Sequence, residues 1–409
     1  MPASTRRSWI GVAPTQSDST LTTACTSAAT TLSIATPTTW STATPSGVSS
    51  IVIVDGNKTE QLAVTSYSAG TVTTAATANA HPIGTYVYFQ ATGTAPAAFV
   101  PVTKIDAQDN IAMLGDKGFR GSMASEFGVQ QGMRGGKLSF DGDFFADTVG
   151  YWLNSLFGFY AYTVGTPYVY AFSQANTTPT ASPGQPAPLL VYVYNPVSST
   201  TRVFARCVVD SFSLKVDPGA LMSYSASIMA FSSGIVTNPT TVPPAFSTFT
   251  PVASRVATMS INGSANAKVL SADYSWKRDS AVAINTLQGI QDPLQNYVGP
   301  LDLSIKAKIV PSDDTELNLY LNGTQVPMVL TALAGTAATA TANGITVQNT
   351  LVNINDANVT RDKAYVEIDL DIDALANSTD VASGAGGLSS SKVTLSTAAT
   401  GTATQYGKV

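Results

Sequence analysis

Charged side chains are scarce in this sequence: Asp, Glu, Lys and Arg make up 11 % of its 409 residues, against roughly 25 % in an ordinary globular domain. A freely soluble monomer needs more charge than that, so the surface is expected to be buried against copies of itself, where charge is depleted. The 21 basic and 26 acidic side chains leave a formal net charge of −5, and no run rich in Lys or Arg occurs. Without a concentrated basic face the chain is excluded as a general nucleic-acid binder. Histidine occurs once, at His81, and cysteine twice, at Cys25 and Cys207. These are too few and too scattered for a zinc site, a disulfide framework or a histidine-based nucleophile pair. No cofactor, no metal and no enzymatic activity is expected. Met1 to Gly11 lacks the apolar core of a secretory signal, so cytoplasmic synthesis is expected. Long apolar runs are missing too. The nearest to one, Phe144 to Gly165, carries Asp147 and Asn154 and is broken by Gly150, Gly158 and Gly165, which rules it out as a membrane span.

Ser, Thr, Ala and Gly fill the space, set in strands that alternate apolar with polar. Residues 1–14 read as a polar arm with one anchor, Trp9. Residues 15–93 read as a small all-β module, with hairpin turns at Asp55-Gly56-Asn57 and Ser68-Ala69-Gly70 between β-branched runs. Residues 94–235 form a second unit. In it, Leu138 and Phe140 face opposite to Lys137, Ser139 and Asp141, and Phe212, Leu214 and Val216 opposite to Ser211, Ser213, Lys215 and Asp217, the period of a half-buried sheet. Between these strands Phe145, Val149, Trp152 and Leu156 recur on one face of a helical repeat. They predict a helix anchored on a sheet, with Asp143 as its N-cap and Gly158 as its stop. Gln174 to Pro188 reads as a long exposed loop.

Residues 236–380 repeat that plan. Leu301, Leu303, Ile305 and Ile309 alternate with Asp302, Ser304, Lys306 and Lys308. A short helix, Asp313 to Leu321, follows with Asp313 and Glu316 spaced as a capping box and Gly323 as its stop, and then comes the strand Ala364 to Asp373. The recurrence of strand, helix ending in Gly, loop and long strand reads as a diverged duplication. Residues 381–409, rich in Gly, Ser, Thr and Ala, read as a C-terminal arm.

The Gly-rich stretch Gly132 to Lys137 fails as a phosphate loop, because Gln131 stands where the first Gly belongs and Leu138 where a Ser or Thr should bind magnesium. A loop or a bulge before a strand is the better reading. His81, in the turn His81-Pro82-Ile83-Gly84, reads as a structural turn residue. The sharpest polar feature is the ladder Glu367, Asp369, Asp371 and Asp373, with Val366, Ile368, Leu370 and Ile372 on the opposite face. Three readings stay open for it: a solvated face, a negative wall lining a passage for DNA, or a calcium site.

With the repeat laid out, the chain resembles a tail tube protein (major tail protein) of a long, non-contractile bacteriophage tail. The residues that carry the likeness are Gly135 to Gly158, Cys207 to Gly234, Trp276 to Asp279, Gln288 to Pro293 and Gly299 to Gly323, and it covers about residues 100–395. The resemblance implies a mainly β chain of two tandem tail-tube-like β-sandwich domains, each with a flanking α-helix, beside the small N-terminal module as an exterior decoration. It implies a virion protein whose sheets join edge to edge into rings that stack as a hollow tube for DNA ejection. Self-association is then the main partnership, alongside tape measure, tail terminator and distal tail proteins, with double-stranded DNA passing without specific binding and no membrane involved. Two tube units per chain suggest a trimeric ring with pseudo-sixfold symmetry rather than a hexamer. Asp369, Asp371, Asp373, Asp302, Ser304, Ser211 and Ser213 are the expected lumen-facing residues, and the loop Gln174 to Pro188 and the C-terminal tail the expected contacts between rings. The competing reading is a surface or tail-tip adhesin whose aromatic strands, Tyr168 to Phe172 and Val191 to Asn195, contact a host glycan.

Overall fold

The computed structural model describes residues 8–406 except 15–17, 36–47, 56–57, 69, 92–95, 118–126, 166, 177–183, 239–245, 266–267, 280, 288–290, 312, 335–341, 362–363 and 399–404. In chain order the strands and helices are β1 (Ile10–Pro14), β2 (Asp18–Thr20), β3 (Thr31–Ser33), β4 (Val48–Val54), β5 (Glu60–Ser68), β6 (Thr71–Thr74), β7 (Tyr86–Ala91), β8 (Ala98–Val100), β9 (Lys104–Asp116), β10 (Gly128–Asp143), α1 (Gly150–Phe157), β11 (Gly158–Thr163), β12 (Tyr168–Gln174), β13 (Leu189–Asn195), β14 (Thr200–Val216), β15 (Ser223–Ala230) and β16 (Gly234–Thr237). The second half continues with β17 (Ala257–Ile261), β18 (Ser264–Ala265), β19 (Val269–Arg278), β20 (Val282–Ile284), β21 (Gln295–Tyr297), β22 (Leu301–Ile309), α2 (Thr315–Leu321), β23 (Val326–Ala334), β24 (Asn343–Thr360), β25 (Glu367–Ala374) and β26 (Lys392–Thr397). The chain is mainly β, as its alternation predicts.

Two long strands build the sandwich by changing partners part-way. The first stretch of β14 pairs with β13 and β16, and its later stretch with β15 and β19. Arg206, at φ 48°, and a register shift between Val209 and Ser211 mark the bend. β24 behaves likewise. It pairs with β23 and β26 early and with β25 late, with a register shift between Ile354 and Asp356. Such bulges bend a strand and let it serve both layers of a sandwich. The apolar side chains between the layers form one large core, and a single hydrogen-bonded sheet of eighteen strands runs through both predicted units.

The first helix starts later than its periodicity suggests. Asp143 is the last residue of β10, paired with Ser223, and caps nothing. Phe145 lies in the turn before α1, where its carbonyl accepts the amides of Thr148 and Val149, and it is only half-buried. Val149, Trp152 and Leu156 are fully buried, and Trp152 stacks obliquely on Phe140 with ring centres 5.6 Å apart. Gly158 ends the helix at φ 87°, a left-handed conformation in which a Cβ would be strained. The second helix has no buried residue. Its entry is held by the Thr315 amide donating to the Asp313 carboxylate at 2.9 Å, and Gly323 at φ 61° follows its end.

Neither predicted arm is free where it is described. Residues 10–14 form β1, hydrogen-bonded to both β8 and β13, and Trp9 is stacked on Tyr194 at 5.3 Å. At the other end β26 lies between β12 and β24, so the segment read as a C-terminal arm joins the first predicted unit to the second. Residues 1–7 of the N-terminal arm, 177–183 of the long loop, and 399–404 and 407–409 of the tail lie outside the described residues. The small module is a six-stranded sheet in the order β2-β7-β4-β5-β6-β3 with its own core around Ile51, Ile53, Leu32 and Val72. Its other face, Val52, Val54, Tyr86 and Tyr88, packs on Tyr192, Tyr194, Val203 and Phe231 of the body.

One further contact welds the two halves of the body. Arg278, at the end of β19, is 2 % exposed and donates to the carbonyls of Leu156 and Phe157 at the C-terminus of α1 and to that of Gly299. Burial pulls its pKa down to about 10. The carbonyls at the negative end of the helix dipole are what the buried cation rests on.

Candidate functional site

Eight strands lie side by side in the order β9-β10-β15-β14-β19-β22-β25-β24, every neighbouring pair antiparallel. Their inner face is core: Phe140, Phe212, Leu214, Tyr274, Trp276, Ile305 and Leu370 are all buried. The period of two then forces their polar partners onto the other face. There the registers line up in rows that run across the strands. One row is Asp141, Ser225, Ser213, Ser275, Ser304, Asp373 and Asn353. A neighbouring row runs Ser139, Ser227, Ser211, Lys277 and Asp302; the row on the opposite side runs Ser223, Lys215, Asp273, Lys306 and Asp371.

All seven residues singled out in the sequence, Ser211, Ser213, Asp302, Ser304, Asp369, Asp371 and Asp373, therefore sit on one face of one sheet, and each is exposed or half-buried. The pairing of β14 with β19 makes this possible, since it is there that the two predicted units become a single surface.

The electrostatics differ from a bare carboxylate ladder. Opposite Asp369 and Asp371 on the adjacent strand stand Lys308 and Lys306. Lys308 Nζ lies 2.9 Å from Asp369 and 3.6 Å from Glu367, and the Asp369 hydrogen bond raises its pKa. Lys277 faces Asp302, and Lys215 faces Asp273, in the same cross-strand manner. Opposite charges directly across a sheet stabilise its pairing, so the face is a mosaic of hydroxyls and matched charges. Among the described residues no three His, Cys, Asp or Glu side chains are grouped to hold a metal ion. One detail of the ladder reverses. The strand begins at Glu367, which is buried, while Val366 before it is 40 % exposed, so Val366 does not share the buried face of Ile368, Leu370 and Ile372.

Sequence reasoning passed over the two outer strands of this face. β9 contributes Lys104, Asp106 and Gln108, with Ile105 and Ala107 turned to the core; β24 contributes Asn353, Asn355 and Asn358. The alternation of Lys104 to Gln108 was a usable signal. Among the described residues the strand register of β9 is with β10 alone, and that of the stretch Asn353–Thr360 of β24 with β25 alone. Among the described residues no further strand is paired along either margin, although Arg202 donates to the Ala107 carbonyl of β9 at 3.1 Å. Asp109 and Arg134 still tie the β9–β10 hairpin to the body, but towards its tip Met113, Leu114 and Val129 are each 59–60 % exposed. The Gly-rich stretch lies in β10 and carries a register shift between Gln131 and Arg134, a bulge within the strand.

The aromatic strands proposed as a glycan-binding face are core. Tyr170 and Phe172 of β12 are fully buried, and Tyr192 and Tyr194 of β13 are buried beneath the small module, which removes the observation on which the adhesin reading rested.

A comparison with curated proteins gives no match. The family described as phage tail tube protein matches residues 27–374.

Proposed function

Starting from the chain's membership of the phage tail tube protein family, we propose that it closes into trimeric rings which stack into the DNA conduit of the tail, with the eight-stranded polar face as the lumen. The family makes it a structural component of the virion tail. The observation that carries the finer reading is the pair of margins, at opposite ends of a continuous sheet, along which no further strand is paired among the described residues. An exposed strand edge is a template for another strand. Here β9 of one copy meets Asn353–Thr360 of the next, a heterologous contact that must either close into a ring or run on as a filament.

The strand count favours three copies. Three copies give 24 strands; at about 4.8 Å per strand and a tilt of about 40°, the backbone circle is about 150 Å round and about 48 Å across. Subtracting about 5 Å of side chain from each wall leaves about 38 Å, ample for a hydrated duplex. Two copies would leave only about 22 Å by the same arithmetic, too tight for hydrated DNA. The small module packs on the layer behind the lumen face, which supports an exterior position for it. The projecting β9–β10 hairpin is better placed to reach a neighbouring ring than the C-terminal segment built into the body. Electron microscopy of the purified protein is expected to show hollow polymers, and scanning transmission measurement of mass per ring to give three chains. Six chains per ring would reject the trimer, and a chain that stays monodisperse at high concentration would reject the tube.

The mosaic also makes a lumen prediction. Ser213 and Ser304 lie in one row, with Ser275 between them, and make no ion pair. Ser213→Lys with Ser304→Lys adds two cations per chain without breaking a matched pair. Tubes should still form, and genome ejection at low salt should slow by on the order of tenfold, the difference shrinking as salt rises and phosphate contacts are screened. Equal ejection rates for both virions at every salt concentration would place this face away from the DNA.

A further inference from the structure

The chain's single histidine lies where the small module meets the body, and it is enclosed by charge. The His81 side chain is completely buried, with Nδ1 3.0 Å from Asp55 Oδ2 and Nε2 2.8 Å from Glu60 Oε1. A neutral imidazole carries one N–H, so it can satisfy only one of these carboxylates and must aim a lone pair at the other; two N–H groups are available only in the imidazolium. Asp55 is in turn shared. Its Oδ1 accepts from Arg134 of β10 at 3.1 Å, and Arg134 grips Asp292 with two hydrogen bonds of 2.9 and 2.6 Å. Glu60 also holds the His81 turn through the amides of Ala78 and Asn79. A cavity of about 20 Å³ adjoins the network, bordered by Asp55, Arg134, Arg206 and Asp292. The chain Glu60–His81–Asp55–Arg134–Asp292 thus crosses from module to body, with three anions and two cations when His81 is charged.

We propose that His81 is a proton-operated latch that fastens the small module to the tube-forming body. With the proton in place, His81 holds Asp55 and Glu60 together and so sets the carboxylate that Arg134 binds. Without it, a buried lone pair faces a carboxylate at 3.0 Å or less, the network goes from one excess negative charge to two, and the module loosens. Burial by itself would lower the His81 pKa, but the hydrogen bonds and charges of Asp55 and Glu60 prevail and hold it above the ordinary 6.5. A folded-state value above the unfolded one means that the stabilisation is complete below about pH 6.5 and is lost as pH rises through the folded value. Asp55 and Glu60 are shifted the other way, down from 3.8 and 4.5 despite burial, by His81 and by Arg134 or backbone amides. Their contribution is present above the usual carboxylate range and is lost in acid. Among the described residues the Lys58 side chain nearby in sequence is exposed, and the Arg206 guanidinium, which borders the same cavity, covers the Tyr86 ring at 4.7 Å.

Because no second histidine exists, histidine-selective labelling of the full chain gives one imidazole signal to titrate. Its midpoint is expected above 6.5. Hydrogen exchange in residues 18–91, corrected for the intrinsic rate, is expected to accelerate as pH rises from about 6.5 to that midpoint and to level off above it, by ~10-fold in all for each unit of elevation; exchange in β19 and β22 is expected to show no such step. In His81→Gln the module should exchange fast already at pH 6, and the step should vanish. A midpoint at or below 6.5, or a step that persists in the variant, overturns the latch. If the variant does not fold, the wild-type titration decides alone.

Discussion

Asn355→Pro is expected to leave the chain folded and to abolish tubes. Asn355 is the extra residue at the bulge in β24, between Ile354, which faces Ile372, and Asp356, which faces Asp371. It has no ladder partner to lose there, and its side chain donates a hydrogen bond to Asp373 and accepts one from the Asn353 amide. Bulges and edges are where a sheet accepts proline, so the cost to the subunit is small. The cost to assembly is not. A proline on the outer margin removes a donor and places a ring where the next strand must approach, one of the ways by which natural proteins block edge-to-edge pairing. Sedimentation should show the variant entirely as single subunits with an unchanged circular dichroism spectrum, whereas Asn355→Ala, which loses the side-chain hydrogen bonds to Asp373 and Asn353 but keeps the backbone donor, should polymerise. Tubes of normal length from the proline variant would mean that this stretch of β24 is not a ring contact.

That prediction uses a margin that the sequence does not advertise, and the reason is physical. Alternation is a local property, and it located β10, β14, β22 and β25 because each has one face in the core. It also separates the seven polar residues of that face from the apolar residues of their own strands. Which strand lies next to which is set by contacts far apart in sequence, and local pattern is silent on it. Asp369 and Asp371 look like a bare acidic wall until β22 is known to lie beside β25, whereupon Lys308 and Lys306 fall opposite them. The tail segment failed for a related reason. Ser and Thr in Lys392–Thr397 look like an unpacked arm, yet with β12 on one side and β24 on the other Val393 and Leu395 are fully buried. The helix cap was misread because Phe145 matches the helical repeat while the backbone is still turning. His81 was legible as a turn residue. Its two carboxylates come from Asp55 and Glu60, 26 and 21 residues away, and no spacing rule joins them.

The C-terminal segment yields the second large effect, on stability. Tyr406 is fully buried in a nest of rings, with centres 4.8 Å from Tyr170, 5.0 Å from Tyr151 and 5.8 Å from Phe172. Its carbonyl accepts the Asn154 amide of α1 at 2.7 Å. Tyr406→Ala should lower unfolding stability by about 3–5 kcal/mol, the range for emptying a large aromatic site in a core that cannot fully collapse. Gly150 reveals how tight the fit is, because a Cβ there would lie 2.3 Å from the Tyr406 ring. Gly150→Ala alone should therefore also destabilise, by about 1–3 kcal/mol from overpacking. In the double variant the new methyl enters the space the ring has vacated, so the pair should cost no more than Tyr406→Ala by itself. Denaturant unfolding of the four proteins, read as a double-mutant cycle, measures this coupling. If the two effects simply add, helix α1 and the C-terminal segment do not share one packed site, and the closure of the body by its own last residues is wrong.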